Sequence, residues 1–105
     1  MSSRVIMAGL IALGTQKISL TGTAVSGLNS TCDGAEVVMM SVETANVRAR
    51  FDGTNPAAST GVLFVAGQGP FYIELAAPTS FKVTAATGSP VVNMAAFRYA
   101  GNAAR

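Results

Sequence analysis

Five carboxylate side chains are the groups best suited to acid–base chemistry in this sequence of 105 residues. They are Asp33, Glu36, Glu43, Asp52 and Glu74. A glycosidase-type site needs two carboxylates with distinct roles flanking the reacting bond, and no spacing here singles out such a pair. Carboxylates on strands usually lie on solvated faces or pair with arginine across strands. A calcium site built from Asp33 and Asp52 is a weaker alternative, because the chain offers too few acidic ligands around them.

The residue types that the sequence lacks exclude several kinds of catalytic and metal-binding site. The sequence has no histidine and a single cysteine, Cys32. The Ser-His-Asp and Cys-His arrangements and imidazole metal sites are therefore unavailable, as are zinc or iron–sulfur motifs built from several cysteines. Cys32 is interpreted as an inert thiol in a polar loop, with a disulfide between subunits as the alternative. The sequence predicts a protein that is not an enzyme and that needs no metal or cofactor.

Arginine spacing points instead to an interface. Residues 46–51 alternate in polarity, so Arg48 and Arg50 should emerge side by side from one face of a strand, with Arg98 joining them if the last strand lies nearby. The residues predicted to face the core are Val47, Ala49 and Phe51. Such a basic face is either solvated, with a few ion pairs, or a contact in which guanidinium groups meet carboxylates of another subunit. Asp52 and Gly53 then form a turn.

Composition is consistent with a protein that hides surface in an assembly. Only 11% of the residues are charged, against roughly 25% in typical soluble domains, and half are apolar. The formal net charge of +2 is too weak a field to indicate nucleic acid or an anionic membrane as a partner. A soluble monomer ordinarily shows more charge, so self-association or attachment to another protein is expected.

The amino end carries an apolar run, 5–13, after Arg4. It is shorter than the ~20 apolar residues that span a bilayer. A secretory signal is one alternative, although Leu13-Gly14-Thr15-Gln16 offers no clear cleavage site. The favoured interpretation is an extended arm or first strand over 1–14 that buries apolar side chains against this domain or a neighbouring copy. Its candidate interface residues are Val5, Ile6, Leu10, Ile11 and Leu13.

The remainder predicts a single all-β domain over 15–100, followed by a flexible tail, 101–105. Short segments rich in β-branched and aromatic residues are separated by Gly, Pro, Asn, Asp and Ser at intervals of about ten residues. This pattern favours an antiparallel β-sandwich or jelly-roll-like fold with seven or eight short strands. The predicted strands include 16–20, 24–28, 35–43, 46–51, 61–66, 80–87 and 91–99.

One stretch resembles a known group of proteins. Residues 42–63 read Val-Glu-Thr-Ala-Asn-Val-Arg-Ala-Arg-Phe-Asp-Gly-Thr-Asn-Pro-Ala-Ala-Ser-Thr-Gly-Val-Leu. This is similar to a pattern, VETAxVRxRxDGT followed by xPxxxxG and a second strand, in small structural proteins of tailed bacteriophages. The resemblance runs from about Ala35 to Tyr99, and the apolar segment 5–13 departs from it. It implies a β-sandwich-like domain in the virion, assembled in the host cytoplasm.

Within that group, the resemblance favours a capsid decoration or cement protein. Such a protein would bind the major capsid protein on the outer head surface as a small homo-oligomer, with a trimer favoured, and bridge capsid subunits without contacting nucleic acid or membrane. A neck, collar or tail component is the nearest alternative. A secreted β-sandwich module that binds a glycan or cell-surface ligand is a third, although Tyr72 and Tyr99 are the only tyrosines and tryptophan is absent.

Overall fold

The computed structural model describes residues 9–32, 34–75 and 80–100. Asp33, Val5, Ile6 and the tail 101–105 lie outside the described residues. The described chain forms β-strands joined by turns, which confirms the all-β prediction. The strands are β1 Leu10–Ser19, β2 Val25–Gly27, β3 Val37–Glu43, β4 Val47–Arg50, β5 Val62–Phe64, β6 Phe71–Glu74, β7 Lys82–Ala85 and β8 Val91–Tyr99.

The strands form two four-stranded antiparallel sheets. The first sheet has the order β1-β8-β3-β6 and the second has the order β2-β7-β4-β5. Pairing the first strand with the last, the second with the seventh and the third with both the sixth and the eighth is the strand order of an eight-stranded jelly roll. The predicted sandwich or jelly-roll-like architecture is therefore present.

Contacts between the sheets fix which strands face each other. The Gln16 side chain on β1 donates a hydrogen bond to the Gly27 carbonyl on β2 at 2.9 Å. At the opposite side, the rings of Phe64 on β5 and Phe71 on β6 meet edge to face, with centroids 4.9 Å apart. Accordingly β1 lies against β2 on one side of the sandwich, while β5 and β6 form the other side.

Alternating side chains from both sheets fill the space between them, as expected for half-buried strands. Val83 and Ala85 on β7 and Val92, Met94 and Ala96 on β8 are buried, and Phe81 immediately before β7 is 1% exposed. The fully buried residues of the cluster include Leu20, Val38, Met40, Val42, Val47, Val83 and Val92. Because all are aliphatic and come from every central strand, the core holds the two sheets in one fixed relation.

β1 joins the end of the predicted arm or first strand, 1–14, to the predicted strand 16–20, because it runs continuously from Leu10 to Ser19. Its pairing with β8 runs from Leu10 opposite Tyr99 to Ser19 opposite Val91, with an irregularity between Ala12 and Gly14. Residues 10–14 are therefore part of the sandwich, as the first-strand form of the prediction for 1–14 has it. Leu13, at the irregularity, packs against the core, whereas Ile11 stays 38% exposed.

The burial of two side chains differs from what their local sequence indicates. Phe51 was expected in the core but is 38% exposed, because β4 ends at Arg50 and the chain turns away there; its ring touches Phe81 at 5.5 Å. Cys32 lies in the predicted loop between β2 and β3, but its side chain is fully buried in the core cluster, which agrees with an inert thiol. Burial raises the pKa of the Cys32 thiol. A buried, protonated sulfur behaves as a small apolar group, which argues against the disulfide between subunits.

Candidate functional site

Exposed apolar side chains gather at one edge of the sandwich. Most of the large apolar residues that stay exposed in the described chain lie on β5 or next to it. We call four of them the β5 edge patch: Phe51, Val62, Leu63 and Val65, which are 38%, 53%, 43% and 37% exposed. Clustered apolar surface on one edge marks a contact site more often than scattered exposure does.

The position of β5 explains this exposure. In the part of the chain that the structure describes, β5 is the edge strand of the second sheet and pairs with β4 alone, where Leu63 lies opposite Arg48 and Val62 opposite Ala49. Phe64 is covered by Phe71 of the first sheet. Val62 has no comparable cover, and a depression of about 330 Å³ lies beside it. The depression is lined by Ala49, Arg50, Phe51, Asp52, Gly61 and Val62.

Backbone groups of β5 are also available for pairing. The Ala86 N–H donates to the Asn46 carbonyl at 2.9 Å, so even-numbered residues of β4 bond toward β7. Val47 and Ala49 then bond toward β5, and Leu63 points its own N–H and C=O away from β4. An apolar edge with unpaired backbone groups is a template for another strand.

Arg48 fastens the loop that flanks the patch. Its Nε donates to the Ala58 carbonyl at 3.3 Å and its Nη1 donates to the Gly61 carbonyl at 3.1 Å. Ala57 and Thr60 exchange backbone hydrogen bonds across the same loop, both at 3.0 Å. Two of the guanidinium nitrogens of Arg48 therefore donate within its own chain. Their direct effect is to hold the start of β5 in place.

Arg50 is paired next to the patch. Its Nη2 and Nε donate to the two carboxylate oxygens of Asp52, at 2.6 Å and 3.2 Å. Asp52 also accepts the Thr54 N–H at 3.1 Å, and Gly53 between them has φ +84°, a conformation that favours glycine. Hydrogen bonding by Arg50 and then by Thr54 lowers the pKa of Asp52. This turn is thus organised by one bidentate ion pair.

Protonating Asp52 should release this turn. Because its folded-state pKa is lowered, the contribution to stability is present above the ordinary value of 3.8 and is lost as pH falls through the folded value. We expect the Thr54 amide shift in an NMR titration to change with a midpoint below pH 3.8. The Asp52→Asn variant should lack this transition; a midpoint above 3.8 would contradict the arrangement.

The structure does not bring all the predicted interface residues together. Arg98 lies on β8 of the first sheet, where its Nη1 donates to the Tyr99 carbonyl at 3.4 Å, and so does not join Arg48 and Arg50 on the second sheet. Lys82, which the sequence did not indicate, joins the two arginines instead, because it lies directly opposite Arg50. Among the described candidates from the amino end, Leu10, Ile11 and Leu13 lie on β1, at the side opposite β5.

Sequence reasoning also missed the β5 edge patch itself. The signal is the continuous run Val62-Leu63-Phe64-Val65, which is apolar on both faces although only one face can point into a sandwich. A run of this kind is typical of a strand covered on both sides, within its own fold or by a partner. Within the described residues, Phe64 is the one member of this run that the rest of the fold covers.

Other kinds of site find little support in the part of the chain that the structure describes. No group of three or more His, Cys, Asp or Glu residues there could hold a metal ion. No helix in the described ranges is long and apolar enough to cross a membrane. Every buried side-chain nitrogen or oxygen described has a hydrogen-bond partner.

Comparison with known proteins gives no family for this chain. A scan against protein-family models, a search of curated proteins and a search of solved structures each find no match.

Proposed function

We propose that this chain is a structural protein of a bacteriophage virion that attaches to a neighbouring protein through the β5 edge patch. The observation that carries the proposal is the exposed apolar edge formed by Val62, Leu63 and Val65 with Phe51 beside it. Arg48, Arg50 and Lys82 lie on the adjoining outer face of the second sheet. An apolar centre with arginine at its border is a common composition for protein contacts.

The sequence resemblance bears on the same region. Residues 42–63, which are similar to phage structural proteins, span the end of β3, all of β4, the loop held by Arg48 and the start of β5. The similar stretch is thus the one that builds and supports the β5 edge patch. Jelly rolls also occur in viral capsid proteins, which supports the proposal by analogy of fold.

Within the virion, we favour a decoration or cement role on the outer head surface. The partner would be the major capsid protein, and the β5 edge would add to or lie against a strand of it. A patch of four apolar side chains is modest, but many copies on a symmetric lattice reinforce one another when they also contact each other. The protein would act without catalysis and without contacting nucleic acid or membrane.

The proposal is tested by attachment to particles. Heads and, separately, tails from a virion preparation lacking this protein are sedimented with the purified chain. We expect saturable binding to heads and a loss of affinity of about tenfold or more for Leu63→Asp, because a carboxylate replaces an apolar contact at the centre of the patch.

Ile11→Asp is the matched control, since Ile11 is 38% exposed on the opposite side and Leu63 is 43% exposed. It should bind like the natural chain. Loss of binding with Ile11→Asp but not with Leu63→Asp would assign attachment to the amino end instead. Binding to tails alone would move the chain to the neck or tail, and binding to neither would overturn the virion role.

A further inference from the structure

The outer face of the first sheet carries a groove that the proposed function does not use. Its volume is about 470 Å³. Among its lining residues, Ala95 lies on the middle strand β8, between Lys17 on β1 and Met39 on β3. The full lining is Thr15, Gln16, Lys17, Met39, Ser41, Pro70, Asn93, Met94 and Ala95.

Strand register defines this face row by row. Thr15, Ala95, Met39 and Tyr72 lie side by side across β1, β8, β3 and β6. The neighbouring row contains Lys17, Asn93 and Ser41, and the row after that contains Glu43. In these three rows the charged side chains are Lys17 and Glu43; Glu74, two residues along β6 from Tyr72, adds a carboxylate to the row beyond and accepts a hydrogen bond from the Tyr99 hydroxyl. Tyr72, at the β6 end of its row, is 52% exposed.

The cation and the carboxylates lie on opposite halves of the face, since Glu74 on β6 shares the half that carries Glu43. Lys17 is on β1 and Glu43 is on β3, separated by β8. Glu43 accepts a hydrogen bond from the Asn93 amide at 3.3 Å, and Lys17 has no ion pair within the described residues. Because positive and negative charge lie on opposite halves, this face is complementary to a second copy rotated by a two-fold axis parallel to the strands.

We infer that two copies of this chain pack through the outer faces of their first sheets, about a two-fold axis parallel to the strands. This rotation places β1 of one copy over β6 of the other and β8 over β3, because the sheet order is β1-β8-β3-β6. Each Lys17 then lies near the Glu43 of the other copy. An axis perpendicular to the strands would instead set β1 against β1 and bring like charges together.

The same rotation supplies an occupant for the groove. Tyr72 and Thr15 belong to the same row at opposite ends of the sheet, so Tyr72 of each copy enters the groove of the other beside Thr15 and Ala95. A tyrosine suits this position because its ring is apolar and its hydroxyl can bond with polar groups such as Asn93. The contact is isologous, and both grooves are filled by one operation.

The size of the face sets the expected strength. Four strands spaced ~4.8 Å apart and paired over at most ~20 Å present on the order of 400 Å² per copy, about half of the ~800 Å² per partner in a standard specific interface and in the range of weak, transient contacts. We therefore expect a reversible dimer whose population rises with concentration. It would contain two copies, whereas the resemblance to phage decoration proteins favours a trimer. The inference holds whatever the β5 edge patch binds, because that patch lies on the other sheet.

Charge exchange tests this dimer by sedimentation equilibrium over a concentration series. We expect Lys17→Glu and Glu43→Lys each to weaken association about fivefold to tenfold, and the double variant to recover to within about twofold of the natural chain. The double variant does not restore the bond between Glu43 and Asn93, so recovery has to come from the pair between copies. Lys82→Glu makes the same charge change on the other sheet and should leave the dissociation constant of the dimer unchanged.

Ala95→Arg provides a second, independent measurement, since it fills the groove with a charged side chain and should abolish the dimer. Circular dichroism melting confirms that each variant is folded. A chain that stays monomeric up to ~1 mM, the concentration at which even a millimolar contact is half formed, would overturn the inference. A trimer, or a double variant as weak as the single ones, would overturn it as well.

Discussion

Replacing Phe81 with alanine should lower the free energy of unfolding by about 3–5 kcal/mol. Phe81 is the largest of the fully buried side chains, 1% exposed, and its loss leaves a cavity between two sheets that are held by the rest of the core. Its ring also touches Phe51 at 5.5 Å, so one edge of the β5 edge patch loses its support. Urea denaturation followed by circular dichroism measures the effect.

Leu63→Ala is the control, because it removes a comparable apolar side chain that is 43% exposed. It should change the free energy of unfolding by about 0.5 kcal/mol or less. If Phe81→Ala were as mild as Leu63→Ala, the packing of the two sheets around Phe81 would be wrong.

Gly61→Ala should destabilise the protein by about 2 kcal/mol or more and should also weaken attachment. Gly61 has φ +129°, and a Cβ there would lie 2.9 Å from the carbonyl oxygen of Ala49, a backbone atom of β4. Relief of that clash requires β5 to move off β4, which also breaks the bond from Arg48 to the Gly61 carbonyl. The expected result is a less stable protein whose β5 edge patch is displaced, measured by urea denaturation and by binding to heads.

Gly67→Ala separates the two causes of this effect. Gly67 also has a positive φ, +82°, but a Cβ there meets nothing within 4 Å. Its cost should be about 1 kcal/mol, from backbone strain alone, and attachment should be retained. Equal effects of the two substitutions would show that Gly61 is not pressed against β4.

Much of the fold was predictable because sheet structure is visible as local alternation. β8 has the predicted bounds, 91–99, and the inward set on β7, Val83 and Ala85, is buried as its alternation requires. Turns rich in glycine and proline separate the strands at the predicted places. What alternation alone cannot supply is which strands are neighbours, since that depends on contacts between residues far apart in the chain.

The candidate site was less predictable for that reason. Arg98 looked like a partner for Arg48 and Arg50, but sheet order places it on the other sheet, while Lys82 takes the position opposite Arg50. Leu63 is exposed because β5 is an edge strand. Its position at the edge cannot be predicted from a local sequence pattern. Cys32 has polar neighbours in sequence, yet its small apolar side chain turns into the core.

Hydrogen exchange at the Leu63 amide, compared between the free protein and the protein bound to particles, tests the attachment surface most directly. That N–H points away from β4, so it should exchange quickly in the free chain and be protected when a partner covers the edge. We expect slowing at Leu63 and Val65 and no change at β2, on the opposite side of the sandwich. Fast exchange at Leu63 in the bound protein, with protection confined to β1, would contradict attachment through the β5 edge patch.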